Sequence, residues 1–514
     1  MAAITNTKAP KPTLFIDGQW THSSSGQSRP TINPFDASII THVDEANAQD
    51  AERAIQSARK FQDTSDWSSR TFASRAPLLK KIAELLQKNK AELAKIETID
   101  TGKTIGESEI DIDDVTAVFE FYAEEGIKYD KPKVITGKGI PDTVTSQVTK
   151  EAVGVCVLIS PWNYPLLQIC WKLAPALVAG NSCIVKPSEV TPLSTIYLHK
   201  LMLEAGVPPQ AIQILTAGGQ SVGPTLTTHP SVDLVSFTGG LATGRSIIRS
   251  CAETVKRCCV ELGGKNPNVI FSDVPLDIAI DMALTAVFVH SGQVCSSGAR
   301  LIIEDKGSFA NDVVAGVVER AQQIVLGNGL EQGTECGPLV SAAHLEKAKG
   351  FIEVGKSEGA KLLCGGKQAE DPKLSKGYFF LPTVFDQCDR SMKIVQEETF
   401  APILTVERFK AGDEERAIFL ANDTNYGLAA GIQTADKDRS LRIAKRLRHG
   451  TVWQNTFGAY TPRAEWGGFG WSGNGRELGS HGLDEYVESK HIYAEKDLGM
   501  MGWFQDRRKA KAKL

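Results

Sequence analysis

A regular alternation of short apolar runs and helix-length segments, which begins at Val153, constrains the fold of this chain most. Residues 153–159 form an apolar run typical of a buried parallel strand, and residues 165–179 have helical length and end at Gly180. The order repeats as far as residue 253, which predicts an α/β fold with a doubly wound parallel sheet. The other predicted strands are residues 182–185, 211–215 and 232–237, and the other helices are residues 192–205 and 241–253.

The flanking regions extend this pattern. Residues 50–60 and 74–98 have the periodicity of amphipathic helices, and a second alternating region covers residues 266–455. At 514 residues, the chain is long enough for two or three domains.

One apolar stretch, residues 152–180, is long enough to be considered as a membrane span. Pro161, Asn163 and Pro165 lie inside it and would break a single helix. A buried strand, a loop and a buried helix are therefore predicted there, and no membrane partner is expected.

The composition excludes several classes of protein. A net charge of −4 gives no reason to expect nucleic acid as a partner. Ten cysteines without a C-x-x-C pair are too sparse for a disulfide scaffold, so free thiols in a reducing compartment are expected. The nine histidines show no metal-ligand spacing, and no metal site is predicted.

Three short segments carry the chemistry. Cys295 lies in Gly-Gln-Val-Cys-Ser-Ser, and Glu261 lies in Glu-Leu-Gly-Gly-Lys-Asn-Pro. A thiol nucleophile and a carboxylate base are the minimum set for forming and hydrolysing a thioester. Upstream, Asn163 in Pro-Trp-Asn-Tyr-Pro offers a side-chain amide that can hold an oxyanion.

The three segments follow one another in the order amide, carboxylate, thiol. Their order and their residues resemble those of the aldehyde dehydrogenase superfamily, and the resemblance covers nearly the whole chain. Within the superfamily, the chain most resembles the betaine-aldehyde and aminoaldehyde dehydrogenases. The resemblance implies NAD-dependent oxidation of an aldehyde to a free acid by a homodimer or homotetramer. It also implies a doubly wound cofactor domain, an α/β catalytic domain and a small oligomerisation sheet. The implied boundaries are residues 1–131 and 152–263 for the NAD-binding domain, 264–455 for the catalytic domain, 132–151 and 481–496 for the oligomerisation segments, and 497–514 for a basic C-terminal tail.

The same resemblance implies the catalytic roles. Cys295 attacks the aldehyde, and Asn163 with the backbone N–H of Cys295 holds the oxyanion of the thiohemiacetal. Glu261 activates the water that hydrolyses the thioester; a glutamate at this position favours a free acid over transfer to coenzyme A. Lys172 and Glu477 match a proton path in related enzymes.

The cofactor residues follow predicted strands. Glycines at a strand-to-helix turn let a phosphate approach backbone N–H groups. Glu189 is expected beside the 2′-hydroxyl of the adenosine ribose, where a carboxylate repels a 2′-phosphate and favours NAD over NADP. The family usually has Ser at Gly240 and Lys at Gly470. The implied contacts are Ile159, Ser160, Pro161, Trp162, Lys186, Ser188, Glu189, Phe237, Thr238, Gly239, Gly240, Gly244, Leu262, Glu398 and Phe400.

The substrate residues implied by the resemblance are mostly aromatic. Tyr164, Trp171 and Trp466 match positions that line the aldehyde tunnel, and aromatic faces attract quaternary ammonium groups. Glu465 would add a negative charge nearby. A further aromatic of the family is Val289 here, so the aromatic set is incomplete. An amino- or trimethylammonio-aldehyde such as betaine aldehyde is the predicted substrate, and neutral aliphatic or aromatic aldehydes are the alternative.

Two alternatives come from other classes of protein. The first is a binding or structural protein without activity on the same fold, against which the joint presence of the three catalytic residues argues. The second is a thiol hydrolase, which would need a cysteine–histidine pair. His290 is close to Cys295 in sequence, but no partner pattern supports it.

The ends of the chain bear on location. Residues 1–12 lack an apolar core for a secretory signal. The terminal Ala512-Lys513-Leu514 follows a basic run and differs by one residue from the peroxisomal Ser-Lys-Leu address. A peroxisomal import receptor is thus a candidate partner, and the cytoplasm is the alternative location.

Overall fold

The structure is a computed structural model that describes residues 11–501 and 503–504. Within them, two large sheets and two small ones organise the chain. The α/β class predicted from the sequence is confirmed.

The first large sheet has eight strands, and its five central strands are parallel. The chain enters this parallel set at its middle strand, Val155–Ile159, and builds outward on one side before it returns to the other. The strand order therefore reverses between Val155–Ile159 and Leu234–Thr238, the place where doubly wound sheets bind ligands. In spatial order the strands are Gly473–Asn474, Arg257–Glu261, Leu234–Thr238, Val155–Ile159, Ser182–Lys186, Ile212–Ile214, Leu14–Ile16 and Gln19–Thr21.

The second large sheet has seven strands, all parallel to their neighbours except at one edge. Its five inner strands are buried along most of their length, as expected when helices cover both faces. In spatial order they are Lys361–Cys364, Thr383–Asp386, Ile403–Lys410, Arg300–Asp305, Pro267–Ile270, Ala429–Gln433 and Thr451–Gln454.

The small sheets are antiparallel. One is the hairpin Ser28–Ile32 with Ile39–Asp44. The other places Val144–Ala152 between the short strand Lys133–Val134 and the long edge strand Val487–Glu495.

Helices cover the large sheets. Pro165–Ala179 is buried along its whole length and ends at Gly180 in the left-handed region, with φ of 89°. The other α-helices are Ala48–Thr64, Phe72–Lys88, Lys90–Thr101, Ile105–Gly126, Leu193–Glu204, Gly219–Thr228, Leu241–Ala252, Leu276–Phe288, Phe309–Ala321, Ala342–Ser357, Lys393–Gln396, Glu414–Ala421, Lys437–Ala444 and Gly479–Asp484, and the 3-10 helices are Ile127–Asp130, Pro209–Ala211, Val289–Gly292 and Gly470–Ser472.

One predicted helix is wrong. Residues 74–98 belong to two helices, Phe72–Lys88 and Lys90–Thr101, which meet at Asn89. The Asn89 side chain donates to the carbonyl of Leu85 at 2.8 Å, a local bond that competes with continuation of the helix.

The apolar stretch 152–180 contains the predicted strand, loop and helix. Across the described part of the chain, every helix is too short or too polar to cross a bilayer.

Candidate active site

The three predicted catalytic residues approach one another from different elements. Asn163 lies in the loop after the strand Val155–Ile159, and Glu261 is the last residue of the strand Arg257–Glu261. Cys295 lies in the loop before the strand Arg300–Asp305 of the second large sheet. The two sheets therefore supply the base and the thiol from opposite sides.

The loop that carries Cys295 is held in a strained conformation. His290, Ser291 and Gly292 all have φ between 49° and 69°. A Cβ at Gly292 would lie 2.3 Å from the carbonyl oxygen of Ala401, so only glycine fits there. The backbone oxygen of Cys295 accepts a hydrogen bond of 2.8 Å from the amide of Asn266, which fixes the thiol.

The Cys295 thiol is in an environment that opposes its ionisation. Burial raises its pKa well above the usual range, and the charges of Glu261 and Glu398 raise it further. The backbone N–H of Ser296 partly opposes this effect. The resting thiol is therefore protonated, and its activation requires removal of a proton.

Glu261 is suited to accept a proton near neutral pH. Burial, followed by the charge of Glu477, raises its pKa to about 8, and the charge of Lys172 opposes this. Lys172 and Glu477 form a fully buried ion pair. The backbone N–H of Gly468 and the Trp466 side chain also lower the pKa of Glu261.

Asn163 is buried and oriented by the loop of Cys295. Its side-chain amide donates to the backbone oxygen of Gln293 at 2.9 Å, which leaves one N–H for another acceptor. The His290 ring lies 3.1 Å from the backbone oxygen of Asn163 and packs against Tyr164 at 5.3 Å. The His290 ring thus contacts the backbone oxygen of Asn163 and not the Cys295 thiol. The thiol–imidazole pair that a hydrolase needs is not formed by these two residues.

Two cavities meet at Cys295. One of about 270 Å³ is lined by aromatic, aliphatic and acidic side chains, and the other, of about 180 Å³, extends toward the strand-reversal point of the first sheet. Cys295 and Gln168 line both of them. A reactant in the first cavity and a cofactor in the second would therefore meet at the sulfur.

The second cavity contains most of the residues predicted for the cofactor. Thr238 lies at its wall, and its buried hydroxyl has no hydrogen-bond partner within the described residues; the Ser160 hydroxyl is in the same condition. Such orphaned hydroxyls fit a polar ligand. The lining from the predicted set is Pro161, Trp162, Thr238, Gly239, Gly240, Leu262, Glu398 and Phe400, together with Asn163.

The Gly-rich segment from Phe237 to Gly244 contains a turn, with Gly240 as the N-cap, and the first residues of the helix Leu241–Ala252. A Cβ at Gly239 would lie 2.5 Å from the Phe237 ring, and one at Gly244 would lie 2.5 Å from Leu262. Gly240 faces open space, so the serine usual in the family would fit there. Close backbone approach and a helix N-terminus suit a phosphate group.

Lys186 and Glu189 lie where the strand Ser182–Lys186 ends, next to Ile159 on the neighbouring strand. The buried Lys186 amine donates to the Pro187 carbonyl at 2.9 Å and to Glu189 at 3.3 Å. Burial lowers its pKa, and Glu189 opposes the change. Glu189 stays partly exposed beside the buried Ser188, as a contact with a ribose hydroxyl requires.

Glu398 and Phe400 close the second cavity from the other sheet. The Glu398 carboxylate accepts from the backbone of Gly264 at 3.0 Å, and burial raises its pKa to about 7. The Phe400 ring packs on Trp162 at 5.2 Å. Both side chains lie within the same cavity as Cys295.

Aromatic rings enclose the first cavity. The Trp171 ring lies 5.8 Å from Trp466 and 5.4 Å from Tyr460. Tyr164 also lines the cavity, but the Lys103 amine already lies 4.3 Å from its ring centroid. Trp171, Trp466 and Tyr460 thus form a cluster, here named the aromatic cage.

Glu465 is not placed with this cage. Its exposed carboxylate pairs with His481 at 2.8 Å, outside the lining of the cavity. The prediction that Glu465 puts a negative charge beside the substrate is therefore corrected, because its carboxylate pairs with His481 at the surface and does not line the cavity. The acidic side chains that line the cavity belong to the helix Ile105–Gly126 and are Glu107, Asp111 and Asp114.

Tyr460 and Asp114 were not predicted from the sequence. The Tyr460 hydroxyl donates to Asp114 at 2.5 Å, which ties the cage to the helix Ile105–Gly126. No motif marks either residue, because they are 346 positions apart and meet only in the fold. Val289, where the family usually has an aromatic residue, lines the cavity, and Tyr460 supplies a ring in this structure.

No cluster of His, Cys, Asp and Glu that would hold a metal ion occurs among the residues that the structure describes. The terminal tripeptide Ala512-Lys513-Leu514 lies outside the described residues.

Known proteins are similar to this chain in sequence and fold. Residues 20–492 match the aldehyde dehydrogenase family model. The chain is 49% identical to betaine aldehyde dehydrogenase of Bacillus subtilis (strain 168) over 96% of its own length and 99% of the relative. It is 41% identical to aminoaldehyde dehydrogenase 2, peroxisomal, of Pisum sativum, over 96% and 98%. A crystal structure of betaine aldehyde dehydrogenase from Staphylococcus aureus in complex with NAD+ superposes with a TM-score of 0.93 at 43% identity, covering 96% of each chain. The chain belongs to the aldehyde dehydrogenase family.

Proposed function

We propose that this enzyme oxidises an amino- or trimethylammonio-aldehyde, such as betaine aldehyde, to the carboxylic acid with NAD. The observation that carries the proposal is the position of Cys295 where a cavity with an aromatic cage meets a cavity suited to a dinucleotide. The similar enzymes named for betaine aldehyde and for aminoaldehydes support the same class of substrate.

NAD fits the second cavity and the adjoining strand ends of the first sheet by several features. The turn before the helix Leu241–Ala252 suits the phosphates, Lys186 and Glu189 suit the adenosine ribose, and Glu398 suits the second ribose. The S. aureus enzyme was crystallised with NAD+. Bound there, NAD accepts the hydride that leaves the substrate carbon.

The residues of the chain perform the remaining steps. Glu261 accepts the proton of the Cys295 thiol and releases it before the hydrolysis step. The sulfur attacks the aldehyde carbon, and Asn163 with the backbone N–H of Cys295 stabilises the oxyanion. Once the thioester has formed, Glu261 takes a proton from water, which attacks the acyl carbon and releases the acid. The buried pair of Lys172 and Glu477 borders Glu261 and offers a route for the proton to leave.

The first cavity favours a cation. A trimethylammonium group cannot donate hydrogen bonds, and it is recognised by aromatic faces and by apolar burial of its methyl groups. The aromatic cage supplies those faces. Asp114 and Glu107 place carboxyl groups at the wall of the same cavity.

A comparison of substrates tests this proposal. Values of kcat/KM would be measured for betaine aldehyde, 4-aminobutyraldehyde, 3-aminopropionaldehyde and neutral aliphatic aldehydes of matched length, each with NAD and with NADP. A preference for the cationic aldehydes and for NAD is expected. Equal values for charged and neutral aldehydes would contradict the proposed substrate class.

Neutral aldehydes are the second candidate substrates. The first cavity is also lined by the aliphatic side chains of Leu167, Ala286 and Val289. This surface does not select for a charged substrate. The same comparison separates the two candidates.

A protein without activity on this fold is the remaining alternative. It predicts no NADH on addition of any aldehyde. The active enzyme instead predicts NADH formation that Cys295→Ala abolishes while NAD binding is kept, because the thiol forms the covalent bond to substrate.

Assembly, domain boundaries and location belong to the proposal as well. The sheet with the edge strand Val487–Glu495 is assigned to a homodimer or homotetramer interface, and the boundaries are those expected from the sequence. The similar pea enzyme is named as peroxisomal. Import through Ala512-Lys513-Leu514 would be lost when these three residues are deleted from a chain that carries a fluorophore at its N-terminus.

A further inference from the structure

A pair of cysteines outside the active site lies where one helix ends and the next strand begins. Cys251 is in the last turn of the helix Leu241–Ala252, and Cys258 is the second residue of the strand Arg257–Glu261. Cys251 is buried, and Cys258 is partly exposed against the same hydrophobic cluster. Both are free thiols.

A tight turn brings the two together. The backbone N–H of Lys256 donates to the carbonyl of Cys251 at 3.3 Å. Val255, in the turn, has φ of 56° and is 91% exposed. The chain thus reverses direction between the two cysteines, and both side chains pack into the same hydrophobic cluster.

The neighbouring Cys259 is not part of this pair. Successive side chains of a strand point to opposite faces, and the Cys259 thiol donates to the carbonyl of Asn474 at 3.6 Å. Cys258 is therefore the partner that the strand offers to Cys251.

The surroundings favour ionisation of one sulfur. Interaction with the Cys258 side chain lowers the pKa of Cys251, burial opposes this, and the charge of Lys256 adds to the lowering. The Lys256 amine is held close by a bond of 2.5 Å to the carbonyl of His229. A thiolate, rather than a thiol, is the species that peroxide oxidises.

We propose that Cys251 and Cys258 form an oxidisable dithiol, which closes to an intramolecular disulfide when the enzyme meets hydrogen peroxide. One sulfur attacks a peroxide oxygen and becomes a sulfenic acid, with release of one water. The other thiol attacks that sulfur, and its proton leaves with the departing hydroxyl as a second water. Two thiols and one peroxide thus give one disulfide and two waters. This chemistry does not involve Cys295.

The disulfide would join two parts of the cofactor region. The helix Leu241–Ala252 begins at the Gly-rich turn, and the strand Arg257–Glu261 ends at the proposed base. Their far ends would be covalently linked.

Peptide mapping of the full-length enzyme tests the proposal. Trypsin cleaves after Arg249, Lys256, Arg257 and Lys265, so residues 250–256 and 258–265 are released separately when the thiols are reduced. After treatment with peroxide and blocking of the remaining thiols, a joined peptide that is two hydrogens lighter than the sum is expected. Fragmentation should assign the bond to Cys258, and reductant should restore both peptides.

Two cysteine variants test which thiol forms the bond. Cys258→Ser should abolish the joined peptide completely, whereas Cys388→Ser, which alters another partly exposed cysteine, should leave it unchanged. Oxidation of Cys295 shows that the peroxide treatment was effective. If Cys251 and Cys258 are both still alkylated after that treatment, the proposal is overturned. A bond from Cys251 to Cys259 would overturn it equally. Because the mapping of the unmodified chain needs no variant and no turnover, its outcome is independent of the substrate proposed above.

Discussion

At the scale of single residues, burial decides the chemistry of this site. The same loss of solvent keeps the Cys295 thiol protonated and raises the pKa of Glu261 to about 8. A carboxyl group with a pKa near the working pH can both take up and release a proton, which a general base must do in each cycle.

A dependence of hydrolysis on pH follows from this value. Glu261 must be ionised to take a proton from water, so the rate of thioester hydrolysis should rise with pH and level off above about 8. Glu261→Gln should remove this dependence and slow hydrolysis by roughly 10²- to 10⁴-fold. Rapid mixing would then show a burst of NADH before slow turnover. An unchanged steady-state rate in the variant would assign the base to another group.

Residue identity was predictable from sequence where a motif carries the chemistry. Asn163, Glu261 and Cys295 lie in short segments whose residue types indicate a reaction, and the fold brings all three close together. Tyr460 was not predictable, because its importance comes from its distance to Trp171 and not from its neighbours in sequence. Glu465 shows the reverse case, in which proximity in sequence to Trp466 did not place the side chain in the cavity.

At the scale of elements, the loop after the strand Ser182–Lys186 should set the choice of cofactor. Glu189→Ala removes the carboxylate that would repel a 2′-phosphate, so the preference for NAD over NADP should narrow. Glu204→Ala, which removes an exposed charge at the end of the next helix, is the matched control. The measurement is the ratio of kcat/KM for the two cofactors. A ratio that Glu189→Ala leaves unaltered would contradict this assignment.

The aromatic cage is also a property of elements, because a helix and a distant loop each contribute rings. A desolvated cation–π contact contributes up to about 2 kcal/mol, or roughly thirtyfold in binding. Trp466→Ala should therefore lower kcat/KM for betaine aldehyde far more than for a neutral aldehyde of similar length. Trp466→Phe, which keeps an aromatic face, should retain most of the difference. Equal losses for both substrates would show that the ring shapes the cavity without selecting a cation.

Element boundaries were predictable to within a few residues where apolar periodicity is strong. The helix Pro165–Ala179 has its predicted limits, since Pro165 begins it and Gly180 ends it. The break at Asn89 was missed, because the apolar periodicity continues across it while a single side-chain bond to the backbone stops the helix.

At the scale of the whole molecule, the active site exists only because two sheets approach each other. Glu261 and Cys295 are positioned by different sheets, and the two cavities that meet at Cys295 are lined by segments from residue 107 to residue 466. Alternation of strands and helices predicts each sheet separately, but it holds no information about how two sheets pack. The resemblance to a family supplied that arrangement in advance.

The edge strand Val487–Glu495 should determine assembly. It pairs with Val144–Ala152 on one side only, which leaves its other edge without a strand among the described residues. Such an edge is a template for pairing with a second chain. Ile492, 40% exposed on this strand, borders a recess of about 670 Å³, and both features fit contact with a second subunit.

Ile492→Lys should therefore lower the mass of the enzyme in solution, because a desolvated charge at an interface is unfavourable. Ser489→Lys adds the same charge to the same strand without removing apolar surface, and it is expected to weaken assembly less. Sedimentation at several protein concentrations measures both, and circular dichroism checks that each variant is folded. If Ile492→Lys kept the native mass at every concentration, this edge would not be the interface, and assembly would have to use another surface of the molecule.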